Sequence, residues 1–95
     1  MVSDFEWDDD KDARNRAKHR MSFRLARRVF LDQGRVTRRD VRKDYGEDRF
    51  VTTGFIDGRL VVVVYTLRGD AIRIISARIA SSRERSRHGL DPNDT

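Results

Sequence analysis

The chain has 95 residues, the size of one small domain, and its charged residues (39 %) outnumber its hydrophobic ones (37 %). It contains no cysteine, which excludes disulfides, thiolate nucleophiles and zinc–thiolate sites, and no apolar run long enough to cross a membrane. Because the first residues are acidic, we expect no secretory signal peptide, and the absence of cysteine fits a reduced, cytoplasmic setting.

Positive charge is concentrated in the middle of the chain. Residues 13–90 hold 20 of the 21 Lys and Arg but only 8 of the 16 Asp and Glu, a formal charge of +12. Eighteen of the 21 are arginines, whose planar guanidinium binds phosphate through two hydrogen bonds. This bias predicts a polyanion or an acidic protein as partner, and a GC-rich genome with an ordinary solvated surface is the alternative. We expect residues 1–90 to form one domain and residues 91–95 an acidic, flexible tail.

The first third of the chain predicts a short strand and two helices. The segment from Phe5 to Trp7 alternates apolar and polar residues, as an edge strand does. Asp8 suits the N-cap of a helix over Asp9–His19, which starts with acidic residues and ends with basic ones. Ser22 is the corresponding N-cap of a second helix over Phe23–Leu31, whose apolar residues recur at spacings of three and four.

The rest of the chain predicts a β-meander and a last helix. Arg35–Thr37 reads as a short strand, and residues 38–48 read as a charged, flexible stretch. The dipeptide Asp57-Gly58 favours a two-residue hairpin turn. The predicted strands are Arg49–Ile56, Arg59–Thr66 and Ala71–Arg78. The last predicted helix is Arg83–His88, which begins after a cap at Ser81 or Ser82 and ends before Gly89 and Asp91-Pro92. The whole pattern predicts an α+β fold: two N-terminal helices on a three- to four-stranded antiparallel sheet, with a short C-terminal helix.

The central strand is aliphatic on both faces from Leu60 to Val64, whereas a half-exposed antiparallel strand alternates. One face is expected under the two helices. The other needs the last helix, a second copy or a partner chain to cover it, because an open aliphatic patch favours aggregation. We therefore predict a homodimer or a hetero-oligomer, with Trp7, Val61 and Val63 at the partner contact.

Two blocks of residues form a pattern that extends from Phe5 to about His88. The first block holds Phe5-Glu6-Trp7-Asp8, Lys11, Asn15, Lys18-His19, Ser22-Phe23, Ala26, Val29-Phe30 and Asp32. The second holds Gly54, Asp57-Gly58-Arg59-Leu60, Arg73-Ile74-Ile75-Ser76-Ala77-Arg78 and Arg83-Glu84-Arg85. In order and spacing this pattern resembles the BrnT family of toxins.

The resemblance implies a ribonuclease toxin of a type II toxin–antitoxin pair, with a RelE-like fold and RNA as substrate. It also implies a neutralising antitoxin of the BrnA kind, which carries its own DNA-binding part, so that this chain would meet DNA only through its partner. Two residues depart from the family pattern. Arg20 replaces the usual glycine after Lys18-His19, and His88 stands where many relatives have a tyrosine.

Cleavage of RNA without a metal needs a base for the 2′-hydroxyl, an acid for the leaving oxygen and cations for the phosphorane charge. His19 is the first acid/base candidate, because imidazole titrates near neutral pH. Arg78 and Arg83 could clamp a phosphate, and Glu84 could orient these guanidiniums or act as a base. Tyr65 could stack on a base or donate its hydroxyl, and His88 is a less favoured candidate for the proton donor.

Further RNA contacts are expected from basic residues on the helices and strands, namely Lys18, Arg59, Arg73 and Arg83. Arg73 and Arg78 are five apart, so regular alternation predicts that they point to opposite faces. A helix-end histidine, a surface lattice of ion pairs and a core tyrosine are the structural alternatives for these candidates. The acidic run after Trp7 is expected to be a helix N-terminus, and no metal site or cofactor is predicted.

These observations predict a metal-independent endoribonuclease toxin that inhibits translation and growth. The alternative is a basic module that binds nucleic acid or protein without catalysis, as a subunit of a repressor complex. RNA that is bound but left intact, with an affinity that falls steeply with salt, would favour that alternative.

Overall fold

The computed structural model describes residues 4–42 and 44–88 of the chain. The expected acidic tail and the helix-stop residues from Gly89 onward lie outside this part. No helix within these ranges is long and apolar enough to cross a membrane. The elements are β1 (Asp4–Glu6), α1 (Asp9–His19), α2 (Phe23–Ala26), a 3₁₀ helix (Arg27–Leu31), β2 (Val36–Asp40), β3 (Arg49–Ile56), β4 (Arg59–Arg68), β5 (Ala71–Ile79) and α3 (Ser82–Arg87).

The strands form one mixed sheet in the order β1-β5-β4-β3-β2, in which only β1 runs parallel to its neighbour. The α+β class and the three-stranded meander agree with the sequence. The prediction of three or four antiparallel strands was wrong, because the described residues form five strands and β1 pairs with β5 in parallel. Residues 36–40, expected to be mainly loop, pair with β3 along their whole length. The Thr37 and Thr52 hydroxyls, 2.8 Å apart, hold this pairing from one face, and the buried Asp40 holds its end.

The second predicted helix is α-helical only as far as Ala26 and then tightens into the 3₁₀ helix. Such turns are common where α-helices end. The carboxylate of Asp32 accepts hydrogen bonds from the Phe55 N–H (2.8 Å) and the Gly34 N–H (3.0 Å), which fastens the end of this segment to β3. Gly54 makes room for that contact, because a Cβ there would lie 3.0–3.1 Å from Asp32, Arg35 and Val29.

The sheet separates two sets of buried side chains. On the side that we call the helix face, Val61, Val63 and Tyr65 of β4 pack with Phe23 and Val29 under the helices. On the opposite side, which we call the cleft face, Leu60 and Val62 form a smaller cluster that includes Val51 and Ala80. Both faces of β4 are therefore covered within this chain. Val61 is 1 % exposed and Val63 is fully buried, so a partner could not reach Val63 without displacing the helices.

A β-bulge in β5 reverses one expectation about the arginines. Tyr65 pairs with Ile74 but Val64 pairs with Ser76, so Ile75 is an extra residue in the strand. Arg73 then lies opposite Thr66 and Arg78 lies opposite Val62, two β4 positions on the same face. The prediction that the two arginines point to opposite faces was wrong, because the bulge breaks the alternation between them.

Asn15 joins α1 to the free edge of β5. Its side-chain amide donates to the carbonyls of Ala77 and Met21, each at 2.8 Å, and its oxygen accepts from the Ala77 N–H at 3.2 Å. Because β1 pairs only with the start of β5, this side chain replaces a neighbouring strand at Ala77. The helix that carries Asn15 ends at Arg20, which adopts a left-handed conformation (φ 56°) in spite of its side chain.

Candidate functional site

An open cleft of about 520 Å³ lies on the cleft face between α3 and the strands β2 and β3. Alternation in the strands directs Val36, Arg38 and Thr53 into it from below. Glu84, Arg87 and His88 line it from α3, where spacings of three and four place side chains on one helical face. The cleft therefore combines two arginines, a histidine and a carboxylate.

The short helix α3 is fixed at both ends. At its start, the Glu84 N–H donates to the Ser81 hydroxyl (3.2 Å) and the Ser81 N–H donates to the Glu84 carboxylate (2.8 Å), which is a capping box. At its end, the His88 ring packs edge-on against Phe55 with the ring centres 5.8 Å apart. These contacts hold Glu84 and His88 at defined positions over the sheet.

Arg78 and Glu84 form a two-pronged ion pair beside the cleft, with N–O distances of 2.6 and 2.7 Å. The hydrogen bond from Arg78, with help from the Ser81 N–H, lowers the pKa of Glu84 to about 2, and the same bond raises the pKa of Arg78. Glu84 is therefore a carboxylate at neutral pH. Its main effect is to hold the Arg78 guanidinium in one orientation, since a carboxylate of such low basicity is a poor proton acceptor.

A second ion pair lies near Arg78. The buried carboxylate of Asp40 accepts hydrogen bonds from the Arg42 guanidinium (2.9 and 3.0 Å) and from the Tyr45 hydroxyl (3.2 Å). The bond from Arg42 is the main reason why the pKa of Asp40 lies well below its usual range. The charge of Arg42 also opposes the rise in the pKa of Arg78, so the two guanidiniums are close enough to interact. Arg49 extends the cationic surface, with its guanidinium 4.0 Å from the centre of the Tyr45 ring.

Asp32 lies near the other end of α3. Its pKa is lowered, mainly by the hydrogen bond from the Phe55 N–H, and the charge of His88 acts in the same direction. His88 is thus within electrostatic range of a carboxylate on one side and of the cleft arginines on the other. Among the described residues, no group of three or more histidines and carboxylates is arranged to hold a metal ion.

The site residues predicted from the sequence lie in different parts of the structure. Arg78 and Glu84 meet at the cleft, and Arg83 is exposed on the same helix. Arg73 shares their face but forms an ion pair with Glu6 at 3.3 Å, at the far end of β5. His19 and Arg59 line a different pocket on the helix face, and Lys18 is exposed on α1.

Tyr65 lies in the core and not at a nucleic-acid surface. It is 6 % exposed, its hydroxyl accepts a hydrogen bond from Thr52 at 3.0 Å, and its ring packs against Phe30 and Phe50. The ring therefore has no open face for a base, and the structural alternative given for Tyr65 describes it correctly. Trp7 is half-buried with its ring 6.3 Å from that of Phe23, so it also packs against the core.

Arg38 and Arg87 are not among the site residues predicted from the sequence, and His88 is there only as a less favoured proton donor. The spacing of Glu84, Arg87 and His88 places all three on one helical face, but spacing alone does not show that this face points toward the sheet. Arg38 lies two residues after Val36, which would place both side chains on one face of a strand. The many charged residues around Arg38 are typical of a loop, so the strand was not predicted there.

A mixed sheet covered by helices on one face, with an arginine-lined cleft on the other, defines a small basic α+β protein suited to binding a polyanion. The chain belongs to the family described as the ribonuclease toxin, BrnT, of type II toxin–antitoxin systems, whose model matches residues 7–84. The resemblance recognised in the sequence is thereby confirmed. The matched region includes Arg38, Arg78 and Glu84 but ends before Arg87 and His88. No curated protein matches the chain.

Proposed function

We propose that this toxin is a metal-independent endoribonuclease with a RelE-like fold, which cleaves RNA in the cleft between α3, β2 and β3 and so inhibits translation. An antitoxin of the BrnA kind neutralises it. The observation that carries the proposal is the gathering of Arg38, Arg78, Arg87 and His88 around one open cleft in a member of a ribonuclease toxin family.

The arginines divide into binding and stabilising groups. Arg38 and Arg87 line the cleft, and no carboxylate among the described residues pairs with either. Both are therefore available to the phosphates of an RNA strand. Arg78 is held by Glu84, so its guanidinium is oriented before substrate arrives, which is the condition for stabilising charge that develops in a transition state.

The reaction that fits these groups is attack of a ribose 2′-oxygen on the adjacent phosphorus. The bond from phosphorus to the 5′-oxygen breaks, leaving a 2′,3′-cyclic phosphate and a free 5′-hydroxyl. The His88 imidazole accepts the proton of the attacking hydroxyl, water protonates the leaving oxygen in this open cleft, and Arg78 stabilises the phosphorane. Glu84 acts as a positioning residue for Arg78 and not as the base.

The decisive experiment compares the two histidines. RNA cleavage by the purified toxin, free of antitoxin, is measured in EDTA for His88→Gln and His19→Gln. We expect the His88 variant to be slower by about 100-fold or more, the usual value of a positioned proton-transfer group. Loss of cleavage in the His19 variant with normal cleavage in the His88 variant would place the reaction on the helix face and overturn the assignment.

The arginine pair provides a second test. We expect Arg78→Ala to slow cleavage by about 100- to 1,000-fold, as removal of an oriented donor does. Glu84→Gln should cause a smaller loss, because the guanidinium remains but is no longer held in place. Tight, salt-sensitive RNA binding by the unaltered toxin with no cleavage, even after long incubation, would instead support the non-catalytic binding module.

A further inference from the structure

A second pocket, of about 430 Å³, opens on the helix face where α1 ends and the β3–β4 hairpin begins. Its floor is aliphatic and its rim is mainly basic. Leu25 and Ile79 remain 38 % and 40 % exposed at its margin, although both are large apolar side chains. The floor and margin are formed by Met21, Leu25, Ile56, Val61 and Ile79, and the rim by His19, Arg20, Asp57 and Arg59.

The charge of the rim is more positive than its composition suggests. Asp57 is the one acidic residue among the described residues that line the pocket, and both of its oxygens accept hydrogen bonds from the Arg28 guanidinium, at 2.8 and 3.0 Å. Arg20 and Arg59, in contrast, have no carboxylate partner within residues 4–42 and 44–88. The pocket therefore presents an apolar floor under two guanidiniums that lack a counter-charge.

This combination fits a protein segment better than RNA. Sites for single-stranded RNA stack bases on aromatic rings. In the part of the chain that the structure describes, no aromatic residue other than the rim histidine lines this pocket. An aliphatic floor instead receives aliphatic or aromatic side chains of a partner, and an arginine rim pairs with carboxylates. The cleft on the opposite face has the reverse character, with guanidiniums directed into the cavity.

We propose that this helix-face pocket is the docking site of the antitoxin, and that the docking segment is acidic and amphipathic. An apolar side chain of that segment lies between Leu25 and Ile79, and its carboxylates pair with Arg20 and Arg59. The inference rests on the neutralising antitoxin of the proposed function but not on the cleavage chemistry. Since the cleft lies on the other face of the sheet, a segment docked here does not by itself fill the cleft.

The test measures the affinity of the full-length toxin for the antitoxin protein encoded in the same operon, using two matched pairs of variants. Arg59→Glu is compared with Arg68→Glu, which makes the same charge change at the other end of β4. Ile79→Ser is compared with Leu67→Ser, because Leu67 is also a large exposed apolar residue (52 %, against 40 % for Ile79) but does not line the pocket. Thermal unfolding of each free toxin checks that every variant is folded.

We expect Arg59→Glu and Ile79→Ser each to weaken antitoxin binding by about tenfold or more, and both control variants to change it by less than about twofold. Equal effects within each pair, or no effect of the pocket variants, would overturn the docking site while leaving the proposed function intact. Absence of any binding by the unaltered toxin would overturn both the docking site and the neutralisation by this antitoxin, and would leave the cleavage proposal standing. A selective loss of affinity for a labelled single-stranded RNA in Arg59→Glu, with normal antitoxin binding, would assign the pocket to nucleic acid instead.

Discussion

The two faces of the sheet carry the same aliphatic strand but contrasting surroundings. On the helix face, Val61 and Val63 meet buried apolar residues of α2 and the 3₁₀ helix, and the pocket there has an aliphatic floor. On the cleft face, Leu60 and Val62 form a smaller cluster bordered by Arg38, Arg78 and Arg87. In a small domain one face can supply most of the stability, which leaves the other free to hold charges that stability alone would not favour.

The largest expected effect comes from Asn15, which ties the helices to the sheet. Asn15→Leu removes three hydrogen bonds and leaves the buried main chain of Ala77 without partners, so we expect a loss of about 2–4 kcal/mol in the free energy of unfolding. Urea denaturation measures it, with the exposed neighbour Arg14→Ala as control. A loss no larger than that of the control would mean that α1 is fastened by packing alone.

A smaller loss is expected where the 3₁₀ helix approaches β3. In Gly54→Ala the new Cβ would lie 3.0–3.1 Å from three neighbouring atoms, and we expect about 1–3 kcal/mol of destabilisation. Gly34→Ala is the matched control, because its Cβ would meet only one atom, at 3.6 Å. If both variants unfold at the same urea concentration, the residues around Gly54 can move to accommodate the added methyl group without loss of stability.

The cleft face should lose stability in acid through Glu84. Its pKa is about 2 when folded against an ordinary value of 4.5, so the stabilisation is complete above about pH 4.5 and is lost as the pH falls toward 2. We expect the melting temperature of the unaltered protein to fall more between pH 7 and pH 3 than that of Glu84→Gln. Glu47→Gln, whose partner Arg49 is 3.7 Å away, is the control and should follow the unaltered protein.

The smallest expected change is a gain. Arg20 holds a left-handed conformation that glycine adopts without steric cost, so Arg20→Gly should raise the free energy of unfolding by about 0.5–1 kcal/mol. Arg24→Gly, an exposed site inside α2, should lower it by about 1 kcal/mol. Thermal melts of the two variants at neutral pH would therefore shift in opposite directions, and two shifts of the same sign would contradict this explanation.

The sequence predicts elements best where local chemistry defines them. Asp8 accepts a hydrogen bond from the Lys11 N–H, and α1 has the predicted bounds. The hairpin turn at Asp57-Gly58 lies where expected, with a positive φ at both residues. The sequence predicts only the beginning of β2, because the end of this strand depends on contacts between side chains. Asp40 can be buried there because Arg42 and Tyr45 donate hydrogen bonds to its carboxylate.

The site was harder to predict than the fold. Alternation shows which residues share a face but not which face is covered, so Tyr65 was placed among the functional residues although it belongs to the core. His19 and Glu84 looked equally available in the sequence, yet the sheet lies between them. The ion pair of Arg78 with Glu84 could be anticipated, because the two residues flank one short connection.

The extra residue Ile75 changes which spacing along β5 places two arginines on the same face of the sheet. A strand without it would need an even spacing to keep two guanidiniums on one side, whereas this one uses a spacing of five. Removing Ile75 would leave a regular strand with a spacing of four, so both cations would stay on this side of the sheet. Straightening the bulge without removing a residue would instead turn one of them toward the opposite side. An extra residue in such a strand therefore leaves the charges on one surface only when the strand accommodates it as a bulge.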